Sequence, residues 1–212
     1  MDNKIKIVLN VCIVLALISV LSISSNATSS SVVTMEKWGA ILAENAKDAK
    51  NEDIYAIGKN AIVTNKDIDQ AAKSYELSGM DEQSAREEAI KYMCQREALY
   101  QAAIENGYSV TDEEVWEYLE ELKITINNVD NKEEILAAIR QFETEEDYWN
   151  FEFDVYQKNL PIQRYVHDLE QTFMQASANS DEQFVVKENE WEQYFEELKE
   201  ELMLKEEYQI VN

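Results

Sequence analysis

At 212 residues the chain has room for one domain or two small ones, and 45% apolar residues give it the means to build a core. Its net charge of −24 repels phosphate backbones and anionic headgroups, which argues against nucleic acid and polybasic membrane contact as functions. Only 4 Gly and 1 Pro are present, too few for the turns of a sheet-rich fold, so the composition predicts long helices.

Residues 1–27 read as an export segment. Lys4 and Lys6 precede the apolar run Ile7 to Ile23, and the small residues Ser25 and Ala27 follow at the spacing of a signal-peptidase site. As a helix this run spans about 26 Å, short of a hydrocarbon core of ~30 Å yet long for a signal h-region. A cleaved signal peptide and a retained membrane anchor both fit it. Either one places the remainder outside the cytoplasm, with membrane contact through this segment if it stays attached. Cys12 lies inside the run, so the exported part keeps one thiol, Cys94, and no internal disulfide.

Residues 28–53 divide into a linker, Ser29 to Thr34, and an amphipathic helix from about Met35 to Lys50 with Trp38, Ile41, Leu42 and Ala46 on one face. Residues 54–212 are expected to form the main helical domain. Ile54 to Val63 is β-branched and aromatic around Gly58-Lys59-Asn60, which predicts a short strand and a turn. Thr64 caps a helix carrying Ile68, Ala71, Ala72 and Tyr75, ended by Gly79. Asp81 opens a long helix to about Asn106 whose stripe is Ala89, Ile90, Met93, Cys94, Ala98, Leu99 and Ala103. Thr111-Asp-Glu-Glu114 is a capping box for a helix with Val115, Leu119 and Leu122. Ile135, Leu136 and Ile139 mark a short helix. Thr144 caps the next, which Pro161 is expected to kink or restart before it continues to about Ala176. A last helix, about Glu188 to Glu206, carries Trp191, Phe195, Leu198 and Leu202, and Tyr208 to Val211 alternates weakly as a strand. About seven helices follow the apolar leader helix, so the fold class is mostly α.

The order of these elements carries a resemblance. Tyr55 to Ile68, with its short strand, Asn/Gly turn and Asp67-Ile68 helix start, resembles the opening of SurA/PrsA-type chaperones. Ala89 to Val115 is similar to that family's long helix, Gly-apolar turn and Thr-Asp-Glu-Glu cap. Phe142 to Tyr148 and the Trp191 helix with its terminal strand resemble later parts of the same N-terminal domain. The resemblance covers roughly residues 54–176 and 188–211. It implies a SurA N-terminal-like helical domain in which a two-stranded mini-sheet, residues 208–211 on 54–57, joins the two ends. Chaperones of this type commonly carry a parvulin isomerase domain before the closing helix, and here only Ser177 to Lys187 stands in that place. The resemblance therefore implies an extracytoplasmic holdase-like chaperone that binds unfolded or exported polypeptides without isomerase activity. The alternative is a membrane-tethered adaptor with one dedicated partner.

No residue pattern predicts a catalytic, cofactor-binding or metal site. His167 is the single histidine and lacks partners at fixed spacing. Cys94 occupies a core position on its stripe, where a thiol packs as a small hydrophobe. Asp112-Glu113-Glu114 and Glu145-Glu146-Asp147 open helices, where negative charge complements the dipole, and neither has calcium-loop spacing. Trp116, Tyr118, Trp149, Phe153 and Met174 do not all fit the apolar stripes. They are the candidate client-binding residues: either they line a groove for unfolded segments or they bury against neighbouring helices.

Overall fold

A computed structural model describes residues 28–47, 53–176 and 184–211. The export segment expected at residues 1–27 lies outside them. Seven helices and three short strands follow in the order α1 (Thr28–Lys47), β1 (Ile54–Ile57), β2 (Ile62–Thr64), α2 (Asn65–Leu77), α3 (Glu82–Glu105), α4 (Asp112–Ile126), α5 (Lys132–Ile139), α6 (Glu145–Ala176), α7 (Phe184–Glu206) and β3 (Gln209–Ile210). No helix among the described residues is long and apolar enough to cross a membrane.

The helix starts follow from short polar side chains that replace missing backbone partners. Thr64 accepts from the Asp67 N–H at 3.1 Å to open α2, and Asp81 accepts from the Ser84 N–H at 3.1 Å to open α3. At α4 the box is reciprocal: the Glu114 N–H donates to Thr111 Oγ1 (3.2 Å) and the Thr111 N–H donates to Glu114 Oε2 (2.8 Å). Thr144 and Asp147 repeat this at α6, with both backbone bonds at 3.1 Å. The acidic runs at residues 112–114 and 145–147 are thus the first turns of helices, as their sequence predicts. Gly79 (φ +101°) and Gly107 (φ +86°) supply the left-handed residues that end α2 and α3.

The strands form one antiparallel sheet in the order β2-β1-β3, so the expected two-stranded joint has a third member. The Gly58 N–H donates to the Ala61 carbonyl at 2.8 Å, turning the chain back so that Ile57 pairs with Ile62. β2 is only three residues long and runs into the α2 cap, too short to show alternation in the sequence. On the other edge of β1, Ala56 pairs with Ile210 and Ile57 with Gln209, which brings the two ends together as predicted.

Three apolar clusters hold the helices. The largest joins Trp38 and Leu42 of α1 to Val115 and Leu119 of α4, Ile135 and Ile139 of α5, and Tyr148 and Tyr156 of α6. The second lies under the sheet, where Ala56 and Val63 meet Ile68 and Ala72 of α2 and Ala89, Met93 and Cys94 of α3. The third sets Leu99 and Ala103 of α3 against Tyr165 of α6, with Leu202 of α7 beside them. Two further details differ from the sequence reading. Ser29 to Thr34, expected as linker, forms the first turns of α1, and α1 belongs to the largest core. Its Gly39 packs so tightly on α5 that a Cβ there would overlap the Ala138 backbone. Of the two outcomes expected at Pro161, a kink or a restart, the restart does not occur: α6 runs through it. Loss of one backbone bond there costs about 3 kcal/mol, but the flanking Tyr156, Leu160 and Tyr165 are all buried, and their packing outweighs it.

The closure of the chain is a polar joint. At the end of α7 the Glu206 carboxylate, 7% exposed, accepts from the Asn60 N–H at 2.8 Å and the Ala61 N–H at 3.1 Å. The Glu206 carbonyl accepts from the Lys59 N–H at 2.8 Å. Glu207 (φ +51°) then turns the chain into β3, and the Tyr208 hydroxyl donates to the Cys94 carbonyl at 3.0 Å. A Cβ on Gly58 would stand 2.6 Å from Glu206 Oε2, so glycine is what lets the turn close on this carboxylate. Glu206→Ala leaves two backbone donors of the turn without their acceptor and is expected to lower the unfolding free energy by roughly 2–4 kcal/mol. Urea titration of the purified variant reads this directly, and a change under about 0.5 kcal/mol would contradict the joint's importance.

Candidate functional site

α1, α2, α3 and α6 do not close completely on one another. Between them lies a cavity of about 530 Å³. Its apolar wall is contributed by Trp38 and Leu42 from α1, Met93 from α3, and Phe142 and Phe151 from the α5–α6 connection and α6. The same helices place charged groups around it: Lys47, Lys66, Asp67, Arg96, Glu152 and Lys158 among others. Trp38, Leu42 and Met93 are on stripes that the periodicity already assigns to the core. They reach the cavity because α1 and α3 each present a wide apolar face.

Three of the cavity's cations, Lys47, Arg96 and Lys158, have partners apart from its buried acid. Glu97, 2% exposed, accepts from Arg96 Nη1 at 2.7 Å and Lys158 Nζ at 2.8 Å, and Arg96 Nη2 donates to Asn159 Oδ1 at 3.1 Å. Lys158 also lies 5.7 Å from the Tyr100 ring centroid. This network ties α3 to α6 and satisfies a carboxylate that burial would otherwise penalise. At the rim Lys47 pairs with Glu143 at 2.7 Å, an exposed contact worth little in stability.

Glu152 is different. It is 3% exposed, and no ion pair reaches it among the described residues. Burial pushes its carboxyl up to about 7, opposed by a hydrogen bond with the Tyr148 side chain. In the sequence, Tyr148, Glu152 and Tyr156 recur at four-residue spacing, which puts the carboxyl inside a buried stripe of α6. An acid at such a position is a legible signal that the stripe reading passes over.

The predicted client-binding residues fall in several places, and none of the five lines the cavity. Trp116 (37% exposed) and Phe153 stack at 4.8 Å between centroids, forming one small aromatic step on the α4–α6 face. Tyr118 packs on Tyr156 at 4.8 Å and is half-buried against the largest core. Trp149 is buried, with its ring N–H donating to Glu145 Oε1 at 3.0 Å and Lys123 Nζ 4.8 Å from its ring centroid. Met174 lies on α6 about 31 Å beyond Phe153, at ~1.5 Å per residue, and shares no patch with the others. The aromatic residues of the cavity are instead Trp38, Tyr92, Phe142 and Phe151.

Cys94 is buried, and desolvation pushes its thiol up to about 11, so it stays protonated and packs as an apolar group, as its place on the α3 stripe predicts. His167 is exposed on α6. Among the described residues no cluster of His, Cys, Asp or Glu has the arrangement of a metal site. No family model, no curated protein and no solved structure matches the chain.

The raised Glu152 carboxyl fixes the sign of a pH effect. Its folded-state value lies above the ordinary 4.5, so the fold favours the protonated form. Its contribution is fully present below about pH 4.5 and is lost as pH rises through about 7, a change of roughly 3 kcal/mol. Glu152→Gln keeps the shape and removes the titration. Between pH 4.5 and pH 8 the stability difference between variant and wild type is expected to move by that amount in the variant's favour. Urea unfolding at both pH values checks it, and a pH-independent difference would show that Glu152 is solvated.

Proposed function

We propose that this chain is an extracytoplasmic holdase-like chaperone that binds exposed segments of unfolded or exported polypeptides without isomerase activity. The observation that carries the reading is the cavity between α1, α2, α3 and α6, at about 530 Å³. That volume suits a few side chains of an extended segment, within the ~300–1,000 Å³ of ordinary ligand pockets, and is too small for a folded partner. Its wall mixes aromatic, Met and polar groups, a composition that adapts to varied side chains. The resemblance to SurA/PrsA-type N-terminal domains supports the same reading from the order of elements, and the seven residues between α6 and α7 leave no room for an isomerase domain. Affinity would come from apolar burial, with neither nucleotide nor metal. The acidic surface would keep complexes dispersed. Placement outside the cytoplasm, on a retained anchor or after cleavage, rests on the basic-apolar pattern of residues 1–27.

A second reading, a tethered adaptor for one partner, draws on a different surface. Ile57 and Ile62 pair across β1 and β2 and are 45% and 50% exposed, and Ile210 and Val211 on the β3 edge are 62% and 45% exposed. Such a patch suits one complementary surface better than many unfolded chains.

Suppression of aggregation of several unrelated denatured proteins separates the two. The chaperone reading expects suppression at near-stoichiometric amounts, lost several-fold in Ala46→Trp or Asn150→Trp, which fill the cavity from partly or fully exposed positions. Circular dichroism confirms that the variants fold. Suppression untouched by either substitution, or its absence in the wild type, would overturn the reading.

A further inference from the structure

The cavity holds a carboxylate that the fold leaves without a counter-ion. Glu97 and Glu206, the other buried glutamates named above, are both answered: one by Arg96 and Lys158, the other by two backbone donors. Glu152 is as buried as Glu97 and lines a cavity, and it shares a hydrogen bond with Tyr148, yet no ion pair reaches it among the described residues. A groove meant only for apolar side chains gains nothing from a carboxyl group, which resists burial when charged. The same group becomes favourable when a cation enters beside it.

We propose that this cavity receives a lysine or arginine side chain of a bound polypeptide, its cation pairing with the Glu152 carboxylate while its methylenes lie among Trp38, Met93 and Phe151. The inference rests on the polypeptide-binding reading above and names the side-chain class that the site selects.

The charges facing the cavity agree with this. α1 brings Lys47, which is held by Glu143 from the α5–α6 connection. α2 brings Lys66 and Asp67. α3 brings Arg96, committed to Glu97, and the phenol of Tyr92, whose burial keeps it protonated. α6 brings Asp147, Asp154 and Lys158, the last also committed to Glu97. Three of the four cations are therefore spent on carboxylates other than Glu152, and the chain's charge of −24 raises the concentration of basic segments near its surface. Long basic side chains suit such a site because their stems bury against apolar walls while the head reaches a polar group.

Proton linkage gives the proposal its signature. Free Glu152 titrates near neutrality. A cation entering the cavity draws it to the carboxylate, and the proton leaves to buffer. Affinity for a basic segment is thus expected to rise with pH by up to about tenfold per unit below neutrality and to level off above it.

The test compares two ten-residue peptides, one with a single Arg flanked by Leu and Ala, the other with citrulline in its place, by isothermal titration calorimetry from about pH 6 to pH 8 in buffers of different ionisation enthalpy. The full exported chain is the binding partner. The Arg peptide is expected to bind at least about tenfold tighter at the upper pH. That margin should shrink as pH falls, with proton release below neutrality, and Glu152→Gln should bind both peptides alike at every pH. Equal binding of the two peptides to the wild type, or an Arg preference that survives Glu152→Gln, would overturn the cation site and leave the groove reading standing. Binding of neither peptide would overturn the inference together with the reading beneath it. The wild-type comparison does not depend on any variant folding.

Discussion

The structure depends on the joint between the end of α7 and the β1–β2 turn. One carboxylate, Glu206, satisfies two backbone donors of a turn that lies some 145 residues earlier in the chain, and its own carbonyl satisfies a third. Such contacts are non-local and carry a loop-closure cost that local helix formation does not. They are also directional, so they fix where the last helix stops and which edge of β1 receives β3. With β3 in place, Tyr208 reaches the Cys94 carbonyl and packs under the sheet against α3. The joint therefore positions the central stretch of α3, and the neighbouring Met93 and Arg96 of that helix form one wall of the cavity.

Three buried glutamates show how the fold distributes polar groups. Glu206 binds backbone donors and closes the chain. Glu97 binds two cations and a seam between two long helices. Glu152 stands in a cavity with a tyrosine. Removing either of the first two leaves buried partners unsatisfied, which is the expensive outcome in a medium of low polarity. Removing the third relieves a penalty. A group that costs stability where it stands, beside open volume, is the kind of feature by which function departs from the best-packed solution.

Much of the fold is legible in the sequence because its signals are local. Thr64, Asp81, Thr111 and Thr144 each announce a helix through side-chain oxygens that accept from the first turn. Gly79 and Gly107 announce the ends. The pairing of residues 208–211 with 54–57 was reachable only through the resemblance, since no local pattern links two segments that far apart. The misreadings have physical causes. β2 is too short to alternate. Ser29 to Thr34 looks like linker by composition, but α1 packs into the main core and extends through it. Pro161 lacks an N–H, but the buried residues around it keep α6 continuous, so the restart, one of its two expected outcomes, does not occur. The cavity was least legible. It is a packing deficit among four helices, and its aromatic residues, Trp38, Tyr92, Phe142 and Phe151, carry the same periodicity as residues that fill a core. The residues left over by the stripe reading, Trp116, Tyr118, Trp149, Phe153 and Met174, are partly closed into the core and partly scattered over the helices.

The central claim is that the space between α1, α2, α3 and α6 is where this chain meets polypeptide. Amide chemical-shift mapping of the ¹⁵N-labelled protein, titrated with an unfolded, protease-resistant model polypeptide, tests it most directly. Shifts centred on Trp38, Met93, Phe151 and Glu152, with the sheet face around Ile57 and Ile62 unmoved, are the result this account requires. Shifts confined to Ile57, Ile62 and Ile210, or to the Trp116–Phe153 step, with the cavity residues unchanged, would contradict it.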